Sequence, residues 1–158
     1  MDEADHKWLD ATPLECRKLR LLPNDLLACR FNGNLKYVGS FSLYRGNSGA
    51  EQIFPDKLIR FRIDPSRVLA DYVRYVMNAA PSRKQIEAFC ATTVGNIGIS
   101  ATNLKTVELR VPSLNEQHRI VAKVTQLFSL CEQLKADLGR ARQHHACLAS
   151  VLVEQAGA

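Results

Sequence analysis

Ile120, Val124, Leu127, Cys131, Leu134, Leu138, Ala141, His145, Leu148 and Leu152 recur at alternating steps of four and three residues. A mean step of 3.5 is the a/d seam of a heptad repeat. Here it runs for ten consecutive positions, eight of them aliphatic or cysteine, with Ala141 small and His145 the one polar member. The spacing predicts one long helix. Pro112 stops a preceding strand from running into it, and Ser113-Leu114-Asn115-Glu116 fits a capping box. About 41 helical residues would reach roughly 60 Å at 1.5 Å per residue, longer than a small domain is wide, so the helix must project. Gly139 weakens its middle by about 1 kcal/mol relative to alanine.

Such a seam is not kept in water. Burying eight apolar side chains at roughly 1.5 kcal/mol each is worth on the order of 10 kcal/mol before association costs. Residues 1–111 contain no second heptad stretch of that length, so the expected partner is another chain or a second copy of this one. The alternative is that the helix folds back onto its own globular part.

A chain of 158 residues with 46% hydrophobic content makes one packed domain plus the helix, divided here as 1–112 and 113–158. Apolar runs are too short to cross a membrane, and the acidic start Met1-Asp2-Glu3-Ala4-Asp5 is unlike a signal peptide. Five widely spaced cysteines (Cys16, Cys29, Cys90, Cys131, Cys147) form no CxxC pair and read as reduced thiols. The expected location is the cytoplasm. Of the net charge of +5, only one unit falls in residues 114–158, which hold five Lys/Arg against four Asp/Glu. A basic domain on a nearly neutral rod suggests an anionic partner for the domain and a protein partner for the rod.

Along the chain, strands are predicted at Glu15–Leu21, Leu26–Phe31, Tyr37–Tyr44 (broken at Gly39), Leu58–Ile63 and Thr106–Val111. Asn32-Gly33-Asn34 reads as a turn needing positive φ, and Arg45–Ala50 as a polar loop. In Leu58–Ile63, Ile59, Phe61 and Ile63 alternate with Leu58, Arg60 and Arg62, giving one apolar and one basic face. Asp64-Pro65-Ser66 opens a first helix through Val76, Ser82 caps a second, Thr92–Ser100 is a loop, and Ser100 caps a short turn with Leu104. The fold class is α+β: a small mixed or antiparallel sheet with a helical pair, followed by the long coiled-coil-type helix.

Motifs for catalysis are missing from the sequence. It has no GxGxxG, no GxxxxGK[ST], no nucleophile elbow and no Asn/Asp-Pro-Pro-aromatic methyltransferase motif. His144, His145 and Cys147 invite a metal reading, but adjacent residues diverge on a helix and His145 occupies the seam. No catalysis, metal or cofactor is expected.

The run Ile53-Phe54-Pro55-Asp56-Lys57-Leu58-Ile59-Arg60, the segment Leu22-Pro23-Asn24-Asp25-Leu26-Leu27, the Gly/Asn loop ending in Ile99-Ser100, and above all Val111-Pro112-Ser113-Leu114-Asn115-Glu116-Gln117-His118-Arg119-Ile120-Val121 resemble the specificity subunits of type I restriction-modification systems. The resemblance implies a target-recognition domain followed by one conserved spacer helix, where full-length members have two of each. It further implies a half-site reader of double-stranded DNA. The helix would pair as a coiled coil, making a homodimer, and would dock methyltransferase subunits in a complex with restriction subunits. Helix direction, parallel or antiparallel, stays open. On that reading Asn32, Asn34 and Lys36, then Arg45, Asn47 and Ser48, then Thr92, Thr93 and Asn96 are base-edge readers, and Lys57, Arg60 and Arg62 are phosphate contacts. Asparagine in turns equally serves backbone conformation, and a basic strand face is equally a solvated one. A coiled-coil adaptor without DNA reading, or a partnerless remnant, are the competing functions.

Overall fold

The computed structural model describes residues 9–47, 49–93 and 96–156. Its elements in order are α1 (Pro13–Leu19), β1 (Leu26–Cys29), β2 (Phe31–Asn32), β3 (Phe41–Leu43), β4 (Leu58–Phe61), α2 (Ala70–Asn78), α3 (Ala80–Ala88), β5 (Ala91–Thr93), β6 (Asn96–Gly98), α4 (Ala101–Lys105) and α5 (Leu114–Ala156). The class is α+β with a long terminal helix. Two compact units divide the chain, Met1–His118 and Arg119–Ala158, so the first turn of α5 belongs to the first unit.

In the first unit, β1 is the central strand of an antiparallel sheet ordered β3-β1-β4. Its continuous apolar run suits a strand covered on both faces. Leu26 and Ala28 join Phe41, Leu43, Val73, Met77 and Ile86 in the main core, while Leu27 packs on the opposite face with Leu21 and Tyr44. The alternation read in β4 holds: Ile59, Phe61 and Ile63 lie against the main core and Leu58 against the smaller cluster. The Phe41 and Phe61 rings meet at 5.6 Å. Asn78 completes β3, its amide donating to the Phe41 carbonyl at 2.7 Å and its oxygen accepting the Phe41 N–H at 2.9 Å.

Several expectations are corrected. The predicted strand Glu15–Leu21 is helical as far as Leu19, because Thr12-Pro13-Leu14-Glu15 makes a capping box with proline in the first turn, and only Arg20 forms a bridge, to Ile53. The Thr12 hydroxyl and then its amide hold the Glu15 carboxyl below its ordinary pKa. The strand from Leu26 breaks at Arg30, where the chain passes from the first sheet into a second, ordered β2-β6-β5. Thr92–Ser100 is no loop: β5 and β6 form a hairpin and β2 pairs with β6. Val94 and Gly95 lie outside the described residues. Strand β3 spans only Phe41–Leu43, since residues 35–39 are turns that Arg83 pins to α3 through the Val38 and Leu35 carbonyls at 2.7 and 3.2 Å. Gly39 needs its freedom there, with φ 67° and the Ile86 Cγ2 only 2.5 Å from where a Cβ would stand.

The Asn32-Gly33-Asn34 turn forms without positive φ. Two successive Asx turns do the work instead: the Asn34 N–H donates to Asn32 Oδ1 at 2.9 Å and the Lys36 N–H to Asn34 Oδ1 at 3.0 Å. Helix α2 starts at Ala70, after a turn in which Ser66 bonds Asp64. Ser82 lies buried inside α3 rather than capping it, and Pro81 takes the first-turn position that tolerates proline. Ser100 does cap α4, accepting the Asn103 N–H at 3.0 Å. Residues 106–111 make no strand, because side chains satisfy their backbone: Gln85 bonds Glu108 both ways, and the Tyr72 hydroxyl donates to the Arg110 carbonyl at 2.6 Å.

Helix α5 is 43 residues long and runs through Gly139. Ser113 Oγ accepts the Glu116 N–H at 3.4 Å, so the predicted start is in place. Gln117 is fully buried in the first unit. Its Oε1 accepts the Leu69 N–H at 2.8 Å, and its Nε2 donates to the carbonyls of Pro112 at 2.8 Å and Arg67 at 3.3 Å.

Candidate functional site

The two sheets sort the candidate residues into two ends. Strand β1 runs from Leu26, paired with Leu43 and Phe61, to Cys29, paired with Leu58. At about 3.3 Å per residue these ends lie roughly 10 Å apart.

The Cys29 end joins the second sheet. The Arg30 N–H donates to the Lys57 carbonyl at 2.8 Å, and the Arg30 carbonyl accepts the Ile99 N–H at 3.0 Å. Asn32 stands opposite Ile97 in register, next to Asn96. Asn32, Asn34, Lys36, Lys57 and Asn96 are therefore gathered here, all exposed except the half-buried Asn32. Thr92 and Thr93 belong to the same sheet by register, with their side chains outside the described residues. The Oδ1 atoms of Asn32 and Asn34 already accept backbone N–H groups, so each keeps both NH2 donors for other partners.

The other end carries the remaining cations, and these are used inside the protein. Arg62 donates through Nε to Asp25 at 2.7 Å and through Nη2 at 3.1 Å, and Asp25 is 2% exposed. That bond raises the pKa of Arg62 further above its ordinary range. Arg60 donates to the Arg20 carbonyl at 2.6 Å and lies over the Phe54 ring. Arg45 pairs with Asp71 at 2.8 Å at the start of α2. Asn47 follows in the loop whose Gly46 abuts Pro23, and Ser48 lies outside the described residues. Arg45 and Gly46 of this loop thus lie by Asp71 and Pro23, at the Leu26 end of β1.

Sequence reasoning passed over Arg30, Phe31 and Tyr37 at the gathered end. Arg30 is exposed with its guanidinium 4.7 Å from the Phe31 ring centroid, and Phe31 and Tyr37 are 40% and 52% exposed. The signal was an Arg-Phe pair leading into an Asn-rich turn. Neither Arg30, Lys36 nor Lys57 has an acidic partner among the described residues.

In the second unit, α5 exposes its seam: Leu127, Leu134, Leu138 and Leu148 are each more than half exposed, and Cys131, Ala141 and His145 are exposed too. Ile120 and Val124 are half-buried, and the side chain of Leu152 lies outside the described residues. Phe128 and Leu130 extend the apolar stripe to either side. Among the described residues there is no cluster of three metal-ligating side chains, and no helix is long and apolar enough to cross a membrane.

The class defined is a small α+β module continued by one long amphipathic helix. By sequence the chain is a relative of the specificity subunits of type I restriction enzymes. It is 30% identical to the EcoKI specificity subunit of Escherichia coli (strain K12) over 141 residues, 89% of this chain and 30% of that subunit. It is 30% identical to the StySPI specificity subunit of Salmonella potsdam over 127 residues (80% and 27%). To the EcoEI specificity subunit of Escherichia coli it is 25% identical over 155 residues (98% and 26%). The chain spans less than a third of the length of these relatives. No protein-family model matches the sequence.

Proposed function

We propose that residues 1–112 form a target-recognition domain that reads one half-site of double-stranded DNA, and that residues 113–158 form the helix through which the chain dimerises and docks methyltransferase subunits. The chain itself is non-catalytic, and its complex, with restriction subunits, works in the cytoplasm. One observation carries the DNA reading: exposed Arg30, Lys36 and Lys57, without acidic partners among the described residues, stand at the same end of the domain as Asn32, Asn34 and Asn96. Lysines of this kind hold phosphates, and an arginine and the amides suit base edges. The relatives, named specificity subunits of restriction enzymes, support the same reading.

Phosphate contacts from Lys36 and Lys57 give a slope of log affinity on log salt of roughly −1.8, so binding to a duplex should weaken about 12-fold between about 50 and 200 mM salt. Fluorescence anisotropy of a labelled duplex measures this. A flat salt dependence would favour the coiled-coil adaptor instead.

Dimerisation rests on the exposed seam. Leu134→Asp or Leu138→Asp places a charge where a partner helix would be dry, and each is expected to shift the sedimenting species from dimer to monomer. Phe128 and Leu130 widen the stripe beyond a strict two-helix seam, which leaves surface for the methyltransferase subunits. Variants that sediment like the parent would sink the dimer.

A further inference from the structure

Phe31 stands directly opposite Gly98 in the β2–β6 register. The glycine makes room for the ring, since a Cβ at position 98 would come within 2.7 and 2.9 Å of Phe31 Cδ1 and Cε1. Arg30, one residue earlier, lays its guanidinium over that ring at 4.7 Å. Its backbone is held on both sides, by the Lys57 carbonyl and the Ile99 N–H. Three described arginines stack on aromatic rings: Arg30, Arg60 and Arg74. Arg60 donates to a carbonyl and Arg74 to Asp71, but the Arg30 guanidinium has no acceptor among the described residues.

A stacked guanidinium has lost much of its rotameric freedom while its N–H edge stays available, and that edge matches the paired O6 and N7 acceptors of guanine. Lysine, a point charge, reproduces a phosphate contact but not this two-point fit. We infer that Arg30 is a guanine-reading, specificity-determining residue of this module, and that Phe31, seated on Gly98, is its positioning residue. The assignment rests on the DNA-reading function proposed above. Lys36 and Lys57 then act on the backbone phosphates.

The test is selection of the full chain against a randomised duplex library, followed by sequencing of the bound fraction. The parent should enrich a site with guanine at one position. Arg30→Lys should keep the salt slope but lower the preference for guanine at that position roughly 10- to 100-fold, and Arg30→Ala should do the same with weaker binding overall. Phe31→Leu should relax the same position while Phe31→Tyr retains it, a rescue that simple packing of an exposed ring does not predict. Circular dichroism and urea midpoints matching the parent would confirm that the variants fold. An unchanged guanine preference in Arg30→Lys and Arg30→Ala overturns the assignment. A selected site that contains no guanine does so as well. If the parent enriches nothing and shows no salt-dependent duplex binding, DNA reading itself fails and the assignment falls with it.

Discussion

Replacing Gln117 by leucine is expected to destabilise the protein by about 3 kcal/mol, read as a lowered urea midpoint with unchanged slope. The side chain is fully buried and makes three hydrogen bonds, to the Leu69 N–H and the Pro112 and Arg67 carbonyls. Leucine fills similar volume but strands the Leu69 N–H and two carbonyls, and each buried polar group left unmet costs about 1–3 kcal/mol. Gln117→Glu separates hydrogen bonding from volume. Its protonated form can still donate to Pro112, while its carboxylate would face two carbonyl oxygens, so its folded pKa lies above the unfolded value of about 4.3. An acid with a raised folded pKa binds more protons when native, so stability falls as pH rises from about 4.3 upward. The variant should be near the parent at pH 4 and well below it at pH 7. A leucine variant within 1 kcal/mol of the parent would show that these bonds contribute little net stability.

Asp25→Ala is expected to cost a similar amount, about 3 kcal/mol, by the same measurement. The carboxylate accepts the Leu22 N–H at 2.8 Å and both Nε and Nη2 of Arg62. It is the buried member of the pair, 2% exposed against 47% for the Arg62 side chain, so solvent compensates the arginine and not the acid. Arg62→Met should therefore also destabilise, because it leaves a buried carboxylate without its cation. The double variant should cost clearly less than the two single costs added, since the second change removes a group already stranded. Strict additivity would mean that the Arg62–Asp25 bonds contribute nothing jointly.

The parts legible in the sequence were those whose cause is local. A 3.5-residue period needs no tertiary partner to be recognised, so α5 was found with its cap at Ser113. The two faces of β4 followed from simple alternation. The Glu15–Leu21 strand was a misreading of information that was also local, since the Thr12–Glu15 capping box outweighs a short mixed pattern. Residues 106–111 failed for the opposite reason. Their apolar alternation is real, with Val107 and Leu109 against the core, but Gln85 and Tyr72, distant in the chain, satisfy the backbone that a strand neighbour would otherwise pair.

The candidate site divides in the same way. Residue types alone pick out Asn-rich turns and basic side chains, which is why Asn32, Asn34, Lys36, Lys57 and Asn96 were found together with Arg45, Arg60 and Arg62. Only the folded chain separates them, because an arginine's availability depends on whether an acceptor such as Asp25, Asp71 or the Arg20 carbonyl lies within reach. By itself the sequence determined the long heptad helix, its start and the α+β class, since periodicity and capping act over a few residues. The tertiary structure alone decided which cations are spent within the protein and which remain outward, and it seated Phe31, under the Arg30 guanidinium, on Gly98, because pairing of β2 with β6 joins residues far apart along the chain.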